Sequence, residues 1–144
     1  MKTNELYLVI YWNSLLGERI SKVLSNRENL FEYLNQNFIV SDKDTIDNVI
    51  DFGEPIRIND NSYYYVKQVS FIQGKQTVRL KDYICILANK LDKSYEFTTA
   101  FSDKDVLEEY LKGEYPELST FQRKHLIAGN YNGDLAVEYV RLYK

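Results

Sequence analysis

The chain has 144 residues, 44% of them apolar and 27% charged, with a net charge of −3 and a pI of about 5.2. That is the size of one ordinary domain or two very small ones, with the composition of a soluble globular protein. The acidic balance argues against nucleic-acid binding by bulk charge. A single cysteine, Cys85, excludes an internal disulfide and fits a reducing, cytoplasmic setting.

The first predicted element is the apolar run LYLVIYW, which is strand-sized. It falls well short of the ~18 residues of a membrane helix and lacks the flanks of a signal peptide, so no membrane association is expected. Residues 7–34, YLVIYWNSLLGERISKVLSNRENLFEYL, return in altered form at 83–111. Tyr7 aligns with Tyr83, Ile10 with Ile86, Asn13 with Asn89 and Leu15 with Leu91. After a one-residue insertion, Ser25 meets Ser102, Leu30 meets Leu107, Glu32 meets Glu109, Tyr33 meets Tyr110 and Leu34 meets Leu111. Such self-similarity signals a repeated supersecondary unit.

The two copies interpret each other. ERISKVLS alone reads as helix or strand, but its counterpart SYEFTTAFS is rich in Thr and aromatics, so residues 19–24 are expected to be a strand. Ser25 and Ser102 then stand three residues before Glu28 and Asp105, the spacing of an N-cap. Leu30, Tyr33 and Leu34 share one helical face, as do Leu107, Tyr110 and Leu111. Further helices are expected over SDKDTIDNVIDFG, with Ile46, Val49 and Ile50 inward, and over STFQRKHLIAGN, with a Ser119–Gln122 capping box and Gly129 as its stop. Strands follow at PIRIN, SYYYVKQVSFI and DLAVEYVRLY. The predicted fold is α+β: an antiparallel sheet with helices mainly on one side, a duplicated strand-strand-helix-helix-strand unit, and one compact domain over 1–144 with half-repeats at 5–72 and 76–144.

Catalytic and metal motifs are missing. With His125 as the sole histidine and Cys85 as the sole cysteine, no zinc site of thiolates and imidazoles can be assembled. No P-loop, GxGxxG, HExxH or EF-hand spacing occurs. No catalytic residue, metal ligand or cofactor is assigned. His125 reads as a helix-surface residue, and Cys85, inside YICILA, as a buried inert thiol.

Charge is segregated along the chain. Residues 26–61 carry eight acids and three bases, 62–93 two acids and six bases, and 94–118 seven acids and two bases. On a helix, Asp44, Asp47 and Asp51 fall within a sector of about 60°. With Glu108 and Glu109 they form a candidate face for a partner protein with a basic surface. Trp12, Tyr115 and Tyr131 are candidate aromatic anchors, since large rings at strand ends and loops suit protein recognition. An alternative face for single-stranded nucleic acid interleaves Tyr63, Tyr65 and Lys67 with Lys75, Arg79 and Lys81. The leading expectation is a non-catalytic protein-binding module, an inhibitor or immunity-type accessory protein acting by steric or electrostatic blockade. A Tyr-, Asn- and Lys-rich composition suggests an AT-rich mobile element. The alternatives are the nucleic-acid binder and a ligand-binding or virion structural protein, with homo-oligomerisation left open.

Overall fold

The computed structural model describes residues 2–38, 43–74, 83–90, 95–130 and 132–142, with the backbone alone for Lys2 and Thr3. Among these residues the chain is mixed α/β, with four helices and a seven-stranded sheet. In chain order the elements are β1 (Lys2–Asn13), β2 (Gly17–Leu24), α1 (Arg27–Asn37), α2 (Lys43–Phe52), β3 (Ile56–Asn59), β4 (Ser62–Gln73), β5 (Tyr83–Lys90), β6 (Tyr95–Phe101), α3 (Lys104–Glu114), α4 (Thr120–Ile127) and β7 (Leu135–Arg141). The strand order is β2-β1-β4-β6-β5-β7, with β3 also on β4. The chain divides into two units, Leu6–Gln68 and Val69–Leu142, the second including the start of β1.

In the first unit β1 and β2 form an antiparallel hairpin, with one bulge between Val9 and Ile10. Residues 19–24 are therefore extended, as their counterpart indicated. Val9, Leu24 and Val66 of the strands pack with Leu30 and Leu34 of α1 and with Ile46, Val49 and Ile50 of α2. Of the predicted inward positions, Leu30, Leu34, Ile46, Val49 and Ile50 are buried, and Tyr33 is half-buried against the cluster. Each fully buried Leu or Ile contributes roughly 1.5–3 kcal/mol, so this cluster is what holds two short helices whose own propensity is marginal.

In the second unit β5 pairs antiparallel with both β6 and β7. Cys85, Leu87, Phe101, Leu135 and Val137 pack with Val106, Leu107 and Leu111 of α3, with Leu126 of α4, and with Leu118 between the helices. α4 opens with the predicted capping box. The Ser119 amide donates to Gln122 Oε1 at 2.8 Å, and the Gln122 amide to Ser119 Oγ at 3.1 Å. Gly129, at φ +98°, follows the helix in the left-handed conformation that favours glycine.

Two expectations need correction. The sheet is not wholly antiparallel: β4 and β6 run parallel, with Ser70 opposite Thr99 and Ile72 opposite Phe101. β6 lies between β4 and its own hairpin partner β5, a non-consecutive neighbour that no tight turn constrains to run antiparallel. The N-caps of α1 and α3 also fall one residue beyond the predicted serines. Asn26 Oδ1 accepts from the Asn29 amide at 2.8 Å, and Asp103 Oδ1 from the Val106 amide at 3.0 Å. Both residues are extended, and an amide or carboxylate oxygen serves at least as well there as a hydroxyl. Glu28 and Asp105 consequently sit at the second helical position, where they favour the helix dipole without closing a capping box. Ser102 does something else: its Oγ accepts from the Gly74 amide at 2.9 Å, and its own amide donates to the Ile72 carbonyl at 3.0 Å.

Candidate docking site

Three half-buried aromatic side chains form a row in the first unit. Trp12 stacks on Tyr63, with ring centroids 4.9 Å apart and planes 22° from parallel. Tyr63 leads on to Tyr65, at 6.0 Å and tilted by 47°. The alternation of a strand explains the row. β1 neighbours β4, Tyr63 and Tyr65 share a face of β4, and the intervening Tyr64 points the other way. Tyr64 packs into the helical cluster instead, beside Tyr11 at 4.9 Å and Phe38 at 4.8 Å.

Polar groups edge the row. Glu18 lies opposite Trp12 across β1 and β2, and Arg57 lies opposite Tyr63 across β3 and β4. Lys67, also half-buried, continues the Tyr63–Tyr65 face. Tyr65 is hydrogen-bonded to Glu18. Burial first, then the nearby Glu18 charge, pushes its phenol well above the ordinary tyrosine value, so Tyr65 serves as a neutral donor and not as an acid.

The β1–β2 turn beyond Trp12 carries Leu15 and Leu16, 91% and 61% exposed. The Ser14 amide donates to the Asn61 carbonyl at 2.9 Å, tying this turn to the β3–β4 turn. Asn13, Ser14, Leu15, Asn59, Asp60 and Asn61 line an open depression of about 550 Å³. Asn13 Oδ1 already accepts from the Leu15 and Leu16 amides, and Asn59 Oδ1 from the Asn61 amide and the Ser62 hydroxyl. These asparagines therefore shape the turns.

Of the residues singled out in the sequence, the structure brings Trp12 against Tyr63 and, through it, Tyr65, members of two groups that were proposed separately. Sequence alignment could not show this, because it requires β4 to lie beside β1. Val69 and Phe71, on the same face by alternation, are buried in the second unit at 4% and 2% exposed. Lys75, Arg79, Lys81 and Tyr131 lie outside the described residues. Tyr115 is half-buried and packs against the second unit's cluster.

The acidic residues fall in both units. On α2, Arg27 donates to Asp47 at 3.0 Å and to both oxygens of Asp51, at 2.7 and 3.2 Å. Asp44 is exposed on the same helix. On α3, Glu108 is half-buried, and exposed Glu109 is 3.7 Å from Lys112. Much of the α2 acidic face is thus answered from within the chain by Arg27, a partner that sequence pattern alone did not reveal. Arg27, Glu28, Phe31, Glu32, Lys43 and Asp47 line a hollow of about 390 Å³ beside this clamp.

His125 is exposed on α4 and stacks on Phe121. Cys85 is 2% exposed, and burial, then the Asp103 charge, pushes its thiol up to about 11, a poor nucleophile. Among the described residues no three His, Cys, Asp or Glu side chains gather as a metal site, and no helix is long and apolar enough to cross a membrane. No known protein family, curated protein or solved structure matches the chain.

Proposed function

We propose that the chain is a non-catalytic protein-binding module that acts by blocking its partner sterically. The observation that carries this reading is the half-buried row Trp12–Tyr63–Tyr65, continued by the exposed leucines of the adjoining turn. Large rings with few rotatable bonds lose little entropy on docking, and Trp and Tyr dominate binding hot spots. The acidic residues of α2 and α3 contribute attraction toward a basic partner, weakened at Asp47 and Asp51 by Arg27. A photo-crosslinking side chain placed at Leu15, with one at exposed Phe121 as control, tests the reading in cells. A discrete protein adduct from position 15 alone is the expected result. Identical adducts from both positions, or turnover of a small molecule that depends on Trp12, would end it.

A second reading assigns the same face to single-stranded nucleic acid. Arg57 and Lys67 beside the rings favour it. It requires binding that falls steeply with salt and is lost on replacing both cations by glutamate.

The proposal extends to the architecture: one ancestral unit, duplicated, with the helices of each unit on one face of its strands. The support is twofold. Both units run hairpin, helix, helix and then return to strand, as β3 and β4 in the first and β7 in the second, and each opening hairpin carries a single bulge. Of neighbouring β1 residues, Val9 enters the helical cluster while Leu8 and Ile10 do not; Cys85 and Leu87 of β5 enter theirs while Ile84 and Ile86 do not. The hairpins differ in register, since Val9 faces Lys22 whereas the aligned Cys85 faces Phe101, the counterpart of Leu24. That slip of two is even, so each residue keeps its face.

A further inference from the structure

We infer that the aromatic face of the first unit takes a proline-rich segment of the partner in the polyproline II conformation. The inference rests on the protein-docking reading and names the partner's chemistry. Ring geometry is the first support. The centroids of Trp12, Tyr63 and Tyr65, 4.9 and 6.0 Å apart in sequence, trace a path comparable to the ~9 Å of one polyproline II turn, three residues at ~3.1 Å each. Trp12 and Tyr63 are too close for a flat base to slide between them, because carbon atoms in contact need ~3.5–4.0 Å on each side of the inserted ring. A pyrrolidine ring needs no such slot. It packs on the outer faces and in the notch where Tyr65 tilts by 47° from Tyr63.

The donors are the second support. Among the described residues the Trp12 indole N–H and the Tyr63 hydroxyl make no hydrogen bond, whereas the Tyr65 hydroxyl is held by Glu18. A polyproline II backbone has no internal hydrogen bonds, so its carbonyls are free to accept from these two groups. Charge is the third. Glu18 stands near the row with Arg57 and Lys67, a nearly balanced set, on a chain of net charge −3. A polyanion would have to settle against that net charge; a proline-rich segment brings none. It is also pre-ordered, so a modest half-buried surface suffices to hold it.

Trp12 is the chain's only tryptophan, so its fluorescence reads the site directly. The full chain is titrated with a decaproline peptide and with a glycine–serine peptide of equal length. A saturable emission shift with decaproline alone is expected. Tyr63→Ala should weaken binding about tenfold or more, and Tyr63→Phe, which keeps the ring and removes the donor, a few-fold. Tyr83→Ala, at an exposed tyrosine of the second unit, should change nothing. Circular dichroism and melting curves show that each variant folds. The inference is overturned if decaproline leaves the emission unchanged, or if the glycine–serine peptide is equally effective. It is also overturned if oligothymidine produces the saturable, salt-sensitive shift in place of decaproline. Failure of decaproline with a persisting single adduct from position 15 removes the proline-rich segment and leaves the docking reading; failure of both removes both.

Discussion

The two units share an order of elements and differ in what they leave open. In the first, Trp12 sits half-buried at the end of β1, opposite Glu18 and stacked on Tyr63. At the aligned position in the second, Ala88 is fully buried on a strand paired on both sides, opposite Phe97 on one neighbour and Ala136 on the other. A small residue between two paired strands lets them close over it; a tryptophan beside a charged neighbour cannot be buried so cheaply and stays at the surface. The helix entrances differ in the same sense. In the second unit Ser102, itself buried, ties the start of α3 to Gly74 and Ile72 through hydrogen bonds. Among the described residues Ser25, its counterpart, makes no such bond, and the start of α1 is joined to α2 by the exposed Arg27 clamp. The contrast separates a unit closed by packing from one that leaves a row of large rings half-buried.

The largest effect is expected where the units are most alike. Leu30 and Leu107 align, and both are fully buried. Leu30→Ala and Leu107→Ala should each cost about 2–5 kcal/mol in urea unfolding. A cost below 1 kcal/mol at either position would show that its cluster does not hold its unit, and the comparison would break there.

Alkali should act on the second unit first. Burial raises the Cys85 thiol from 9.0 to about 11 and the Tyr139 phenol, whose hydroxyl donates to the Ile127 carbonyl, from 10.0 to about 12. The folded state favours the protonated forms. Stability is therefore intact below pH 9 and lost as pH rises through that window, by about 1.4 kcal/mol per unit of raised pKa. The raised tyrosines of the first unit start from 10.0, so the decline between pH 9 and 10 belongs to Cys85. Cys85→Ala should flatten that part of the curve, whatever it does to the absolute stability. An unchanged slope would remove the thiol from the account.

Gly74→Ala sharpens the contrast at the helix entrances. A Cβ there would meet Val106 Cγ2 at 2.9 Å and Asp103 Oδ2 at 3.3 Å. Overpacking of this kind costs about 1–3 kcal/mol, measurable by urea unfolding. A neutral outcome would mean that the start of α3 yields as readily as that of α1.

How much of this was legible in the sequence follows from the range of each interaction. The strand character of 19–24, the inward faces of α1 and α2 and the Ser119–Gln122 box were all readable, because they depend on neighbours within a few residues. The caps missed by one place, since Ser25–Asn26 and Ser102–Asp103 each offer two good candidates and only the backbone angles choose between them. The parallel β4–β6 pair was not legible, because pattern gives each strand's faces but not its neighbours. For the same reason Tyr63 and Tyr65 were readable as one face of a strand, but their meeting with Trp12 was not. The acidic stripe of α2 was read correctly as a stripe, yet Arg27, 20 residues away from Asp47, was needed to see that it is partly occupied.

That clamp supplies the smallest effect. Arg27 is 43% exposed, and its partners Asp47 and Asp51 are 32% and 49% exposed. Exposed pairs gain little, because water screens the attraction and two long side chains must be held in place, so Arg27→Ala should cost only about 0–1 kcal/mol, less at high salt. The guanidinium makes bonds to two carboxylates at once, which sets the expectation toward the upper end of that range. Urea unfolding at low and high salt measures it. A loss above about 2 kcal/mol would place Arg27 among the packing elements that close the molecule, and the first unit would then be fastened as firmly at its helix entrance as the second.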